Sequence, residues 1–549
     1  RSTRSRSSAA SDVYKRQGFH MSDDPNPPTA GSTACSVITP EVATDSVAAS
    51  TPNPTGAAGT ADAMASRKKR KPRTFFGHPM GLANLFGVEM WERFSFYGMQ
   101  AILTFYIYYS VTSGGLGYSK EIAYSIVGAY GGLVYLASII GSWISDRWFG
   151  AARSLVGAGF IIMLGHLSLA VLHGLTGVVV GLIFIAFGAG TLKAASLTVL
   201  GDLYDENDIR QDAGFSVYYM GINIGAFIGP ILTGIVQRAG GFHWAFALAA
   251  IGMFIGLMQY LLLAKSTIGN AGREVPNPLP RKQKWLSLIG LVAGILIIWG
   301  VFAIGWVNLD NLSTVVTVLT VICAVGLFIV ILTSKKITEV ERSRVIAFIP
   351  LFIASALFWS LYQQQFTILP AFADRRLNLS CFGHQLPPSV VQSINPIFII
   401  IFAPIMAALW QKLGTRQPHS STKFAWGVFF CGLSFLVFVP FARMDKAPIG
   451  SVALLLFVAT IGELFLSPVG NSLATRLAPK AFHSQMVALF FLSVAIGSAA
   501  SGSLAQLTDV DNPSSTGTYF LILGIVTMVL SLVFFLLRRW IDKKMVGIH

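Results

Sequence analysis

Charge is what this 549-residue sequence is short of: Asp, Glu, Lys and Arg together make up 12 %, about half the share of an ordinary globular chain. That scarcity excludes a soluble enzyme with a solvated charged shell and a chain disordered along most of its length. Cysteine is scarce too. Cys35, Cys323, Cys381 and Cys431 stand far apart, with no pair at metal-ligand spacing and no disulfide framework implied. A lone thiol in an apolar helix is in most cases packing. The sequence has no His-Glu-x-x-His zinc motif and no Gly-rich phosphate loop. His166, His173, His243 and the other histidines are scattered, so nothing points to a membrane-embedded enzyme.

What the sequence has instead is apolar length. Hydrophobic residues make up 53 %, with 53 Gly and 40 Phe, and small residues let membrane helices approach closely. The expected class is an all-α membrane protein. Fourteen apolar helices are expected. Six lie near 84–110, 121–145, 154–173, 177–200, 213–237 and 243–264, and two near 286–306 and 312–333. The last six lie near 345–370, 387–411, 423–442, 450–474, 482–507 and 516–538. The expected domains are a cloning- or adapter-derived segment at 1–20 and a disordered, basic-ended tail at 21–78. An N-terminal six-helix bundle at 79–264, a connector with two extra helices at 265–344 and a C-terminal six-helix bundle with a short tail at 345–549 follow. The two connector helices read as lipid-facing filler.

The formal charge of +15 reflects topology rather than nucleic-acid binding. The basic residues sit in short stretches between apolar runs. With the run Arg67–Arg73 placed in the cytoplasm, that side collects 27 Lys and Arg and the other side 6. The positive-inside rule then puts both termini in the cytoplasm.

Five charged residues fall inside expected spans: Glu89, Glu92, Arg93, Lys193 and Glu463. Each costs about 2.5–3.5 kcal/mol at the bilayer centre on insertion scales, so together they require partners or water. At about 100° per residue, Glu89, Glu92, Arg93, Phe96, Tyr97 and Gln100 share one stripe of the first helix. That stripe must face the bundle interior. Glu89 and Arg93 stand at i, i+4, the spacing for a favourable pair, and a carboxylate that exchanges an arginine for a proton is a coupling element. Cationic groups lie in the first half; an isolated acid, Glu463, and an amide, Asn395, lie in the second. That division suits a zwitterion lying across a cavity, its carboxylate toward Arg93 and Lys193 and its amine toward Glu463.

The loop Asp146-Arg147-Trp148-Phe149-Gly150-Ala151-Ala152-Arg153, with Gly141 ahead of it, and its echo Lys412-Leu413-Gly414-Thr415-Arg416 resemble the cytoplasmic loop motif of the major facilitator superfamily, whose halves rock about a midplane site. Glu89-Met90-Trp91-Glu92-Arg93 resembles the ExxER motif of the proton-dependent oligopeptide transporters. Phe215-Ser216-Val217-Tyr218-Tyr219-Met220-Gly221-Ile222-Asn223-Ile224-Gly225 resembles that family's second signature, and Phe358-Trp359 and Gly462-Glu463-Leu464-Phe465-Leu466-Ser467-Pro468 also match. The resemblance spans about 77–540 and is to the bacterial di-/tripeptide symporter type, whose members carry two extra helices. It implies a major facilitator fold and symport of di- and tripeptides with protons into the cytoplasm across a bacterial-type cell membrane. The driving force would be the proton gradient, with no cofactor, metal, nucleic acid or obligate protein partner, and with lipids as surroundings.

By that resemblance Glu89, Glu92, Arg93 and Lys193 form the proton-coupling cluster. Arg93 and Lys193 would meet the peptide carboxylate; Asn223, Asn395 and Glu463 would meet its amino end. Tyr97, Tyr135, Trp359, Ser467 and Phe490 would complete the binding walls. Two positions depart from the family. Gln363 stands where an acid is usual on the seventh helix, and Gln100 where a base is usual seven residues after the motif arginine. In relatives these positions form a salt bridge, so a Gln100–Gln363 hydrogen bond is expected as a neutral gate. The loss of one proton site leaves a related carrier for another small solute, or a weakly coupled facilitator, as the alternative function.

Overall fold

The computed structural model describes residues 74–549 except 206, 207, 209, 382 and 549. The expected adapter segment at 1–20, most of the 21–78 tail and the basic run 67–73 lie outside the described residues.

Long apolar runs punctuated by glycine, proline and charge fold as helices. The first half holds α1 (Met80–Tyr108), α2 (Lys120–Ile144), α3 (Ala151–Val171), α4 (Gly174–Gly201), α5 (Gln211–Gly240) and α6 (Phe242–Thr267). The connector holds α7 (Arg281–Ala303) and α8 (Leu312–Thr333). The second half holds α9 (Glu339–Tyr362), the short α10 (Ile368–Arg376), α11 (Ile394–Leu413), α12 (Ser420–Ala442), α13 (Ile449–Arg476), α14 (His483–Ala505) and α15 (Pro513–Lys544). Twelve spans are long and apolar enough to cross a bilayer. α1, at 29 residues, has the length but carries three charges, and α7 has 23 residues; with these two the described residues hold the expected fourteen. The outer faces are apolar: Leu262 and Leu536 are 72 % and 73 % exposed. Such surface would aggregate in water but is solvated by hydrocarbon.

Within each half the helices follow the apolar faces. α1 packs on α5 and α6, α3 on α4 and α6, and α2 on α4; α12 packs on α13 and α15, and α9 on α14. The halves meet along α2 and α14. There a Cβ on Gly128 would stand 2.6 Å from the Gly502 Cα, so only glycine permits the approach. α8 lies on this seam. The Ser313 backbone N–H donates to Ser125 Oγ at 3.1 Å, and Ser313 and Thr314 hydroxyls lie 2.8 and 2.9 Å from Ser503 Oγ. Val316 packs with Ala129 of α2 and Ala499 of α14. α8 is lipid-facing over most of its surface, with Val318, Leu319 and Ile322 exposed, yet it also bridges both halves and is therefore more than filler.

Three boundaries differ from expectation for local reasons. α9 starts at Glu339, six residues early, because Thr338 and Glu341 form a capping box. The expected helix 345–370 is broken: α9 ends at Tyr362, Gln363–Gln365 tighten into a 3-10 turn, and α10 starts at Ile368. The helix expected from 387 starts only at Ile394, which puts Pro396 in the first turn of α11, where a missing N–H costs nothing.

At the end where α1 finishes, the halves are laced together. Tyr108 and Tyr109 hydroxyls each donate to the Asp374 carboxylate at 2.7 Å. Arg238 donates to the carbonyls of Gln385 and Leu386 at 2.5 Å each. Ser389 and Ser393 donate to the carbonyls of Pro230 and Phe227 at 2.9 and 2.7 Å, and Lys120 pairs with Asp511. Toward the opposite end solvent reaches the interior faces of α4 and α5, where Leu197 and Tyr219 are exposed.

Candidate transport site

The α1 stripe is buried as its charge pattern requires, with Glu89, Glu92 and Arg93 at most 8 % exposed. Arg93 Nε donates to Glu89 Oε1 at 3.0 Å and lies 2.8 Å from Glu92 Oε2. That second contact is an ion pair without a hydrogen bond, since neither Glu92 oxygen has a hydrogen-bond partner. Glu89 is held differently. Its Oε2 accepts from Tyr218 of α5 at 2.6 Å and from Ser196 of α4 at 3.4 Å. The two hydroxyls also lie 2.6 Å apart. Glu89 thus ties three helices together, while Glu92 has only the Arg93 guanidinium within ion-pair distance among the described residues. Lys193 of α4 is half-buried and makes no ion pair within 4 Å among the described residues. Its ammonium lies 5.3 Å from the Tyr135 ring centre and 5.7 Å from that of Phe491, a cation–π setting that leaves its donors available.

The second half carries one acid in this region. Glu463 of α13, half-buried, accepts a hydrogen bond from the Tyr362 hydroxyl. Asn395 Nδ2 donates to Tyr362 at 2.6 Å and to Thr460 Oγ1 at 2.8 Å. No Lys or Arg lies within ion-pair distance of Glu463 among the described residues. Pro468 denies the helix a hydrogen bond to the Leu464 carbonyl, leaving a polar backbone group one residue from the acid. Aromatic rings frame the space. Tyr97 stacks over Phe366 at 6.1 Å and meets Phe96 edge-on at 5.3 Å. Trp359 meets Phe358 and Tyr362 edge-on at 5.4 and 5.5 Å, and its buried indole N–H is unpaired.

A family model for the POT family matches residues 152–522. The chain belongs to the POT family. It is 41 % identical over 481 residues to the uncharacterized transporter YclF of Bacillus subtilis, covering 86 % of this chain and 96 % of that one. It is 36 % identical over 490 residues to a di-/tripeptide transporter of Lactococcus lactis subsp. cremoris, covering 86 % and 98 %. A crystal structure of a peptide transporter POT in complex with sulfate superposes with a TM-score of 0.83 at 42 % identity, covering 87 % of this chain and 98 % of that one. The fold is accordingly the major facilitator type, and the chain is a membrane transporter, not an enzyme.

Against the residues expected of a POT protein, the structure brings together Glu89, Glu92 and Arg93, and separately Asn395 and Glu463. Tyr135 joins Lys193. The amide pair departs from expectation. Gln100 and Gln363 do not bond to each other. Gln363 donates to Ser498 of α14 at 2.8 Å, and the Gln100 carbonyl oxygen is buried without a partner; the 3-10 turn at Gln363 aims its side chain along α14. Asn223 donates its amide N–H to the Tyr219 carbonyl of its own helix at 3.0 Å. Phe490 is 6 % exposed and its ring lies on Gly470, where a Cβ would come within 2.4 Å; its neighbour Phe491 faces Lys193. Ser467 is half-buried one turn after Glu463.

Four contributors escaped the sequence reading. Tyr362 links Glu463 to Asn395, Thr460 receives Asn395, and Tyr218 and Ser196 hold Glu89. Helical spacing carried part of the signal: Tyr362 is i+3 from Trp359, and Thr460 is i−3 from Glu463.

Proposed function

We propose that this POT-family protein imports di- and tripeptides by proton-coupled alternating access across a bacterial cell membrane. Both termini and the open end face the cytoplasm, as the basic-residue asymmetry supports. The observation that carries the reading is the division of charge across the interior. Arg93 and Lys193 stand in one half, while Glu463 stands in the other with a phenol and an amide but no cation. A zwitterionic peptide fits that division: its ammonium supplies the cation Glu463 lacks, and its carboxylate meets Lys193 and Arg93 in competition with the α1 acids. Tyr97, Tyr135 and Trp359 accept varied side chains, since aromatic walls discriminate little among apolar groups. The relative in Lactococcus is a di-/tripeptide transporter by name, which supports the substrate class.

Coupling rests on Glu92, the acid without a hydrogen bond. When a substrate carboxylate approaches Arg93 and Lys193, Glu92 loses its share of positive charge and takes a proton, so proton and peptide are carried together. The proton gradient drives the cycle without a cofactor. A weakly coupled facilitator is the second reading, favoured by Gln363 in place of an acid.

Uptake of labelled dialanine into proteoliposomes separates the two. Accumulation above equilibrium that needs an inward proton gradient and a negative interior establishes the symporter. Equilibration without accumulation establishes the facilitator. No uptake by folded protein overturns the peptide assignment.

A further inference from the structure

A second cavity, apolar over most of its lining but with basic groups in its wall, lies at the open end of the second half. It measures about 580 Å³ and is walled by the end of α11, the turn after it, the start of α12 and the last turns of α13. None of its twelve lining residues is acidic. Lys423, His419 and Arg476 contribute basic groups. Lys423 is 8 % exposed, and among the described residues no carboxylate lies within ion-pair distance of its ammonium. Its ammonium donates to Gln417 Oε1 at 2.7 Å and sits 4.4 Å from the centre of the Trp410 ring. An ammonium has three N–H donors, so these contacts leave donors for a further acceptor. The cavity also touches Ser420, the first residue of α12, a 23-residue helix with no side-chain cap, whose N-terminus carries the positive end of a helix dipole; the neighbouring Ser421 donates to Asp542 Oδ1 at 2.5 Å, outside the lining.

A buried cation without a counter-ion is costly, and a roomy, acid-free cavity beside it offers the place for one. We propose that this cavity binds a phosphate oxyanion, either the headgroup of an anionic phospholipid or a soluble phosphate. The ligand accepts hydrogen bonds from Lys423 and stands near the α12 N-terminus, within reach of Arg476. Its effect is conformational. α11 carries Asn395 and α13 carries Glu463, so an occupant wedged between their ends fixes the spacing of two helices that line the transport site.

The test is thermal unfolding of the full chain in phosphatidylcholine nanodiscs, with phosphatidylglycerol or inorganic phosphate added at constant ionic strength. The expected result is a Tm higher by several degrees with at least one probe. The rise is lost in Lys423→Gln and in Ser472→Phe, which fills the cavity while keeping the charge. A shift with phosphatidylglycerol alone assigns the lipid headgroup; a shift with phosphate alone assigns a soluble ligand; a shift with both assigns the oxyanion irrespective of its carrier. No shift with either probe, or equal shifts in the variants and the parent, overturns the proposal. If Lys423→Gln does not fold, Ser472→Phe decides alone. The readout is independent of dialanine uptake, so failure here leaves the transport assignment standing, and the reverse.

Discussion

The two halves solve the problem of buried charge in opposite ways. In the first, Glu89, Glu92, Arg93 and Lys193 sum to zero, and Glu89 alone receives donors from three helices. In the second, Glu463 has a phenol and, through it, an amide, but no cation. The first half is complete without a substrate; the second lacks one positive charge. A half-buried acid left in that state is neutralised by a proton or by an incoming ammonium. The asymmetry therefore distinguishes a site that stores charge from one that waits for it.

The largest expected effect comes from breaking the stored charge. Glu92→Gln should abolish gradient-driven accumulation of dialanine while leaving counterflow exchange; unchanged uphill uptake removes Glu92 from coupling. Next is the waiting acid. Truncating one partner of a buried charge pair costs about 2–5 kcal/mol, so Glu463→Ala should weaken free-amine peptides by roughly a hundredfold and N-acetylated ones far less. Equal losses for both, in competition uptake, would refute the assigned orientation. Tyr362→Phe sharpens the contrast. It deletes one hydrogen bond to a charged group, worth about 1.5–3 kcal/mol, and should raise the KM for dialanine by about tenfold or more without lowering the accumulation ratio; a lost gradient response would place Tyr362 in coupling instead. The smallest effect lies between the halves. Gln100→Ala and Gln363→Ala should each change uptake less than about fivefold, in line with one neutral hydrogen bond or none. The double variant should be additive within about 0.5 kcal/mol; a larger coupling energy would show that the amides meet elsewhere in the cycle.

Most of the fold was legible because a span leaves an 18-residue apolar signature, and α8 runs over the expected 312–333. The charged stripe of α1 was legible for the same reason, since one helix fixes the spacing of its own residues. The break after Tyr362 was not. Gln363-Gln364-Gln365 contains neither glycine nor proline, and the turn is held from outside by Thr104, which donates to the Phe366 carbonyl at 3.2 Å. The Tyr362–Glu463–Asn395 set spans three helices, and no local pattern announces such a meeting. Phe490 and Phe491 differ by one step, which at about 100° per residue separates a packed ring from one facing the lysine. The α9 start was readable in Thr338-Glu339-Val340-Glu341, a capping-box signature that the apolar count passed over.

The glycine contact between α2 and α14 sets the gearing of any motion. The span Lys120–Phe149 has 30 residues and so a length of about 45 Å. If Gly128 and Gly502 stay in contact as a pivot, the far tip of the span lies about 30 Å from it. A turn of about 15°, the size of a known subunit rotation, then sweeps that tip through about 8 Å. Adjacent β-strands stand about 4.8 Å apart, so the displacement exceeds the spacing of one extended backbone. With that pivot, a contact too close for a methyl group would convert a small angle into an opening wider than one extended backbone.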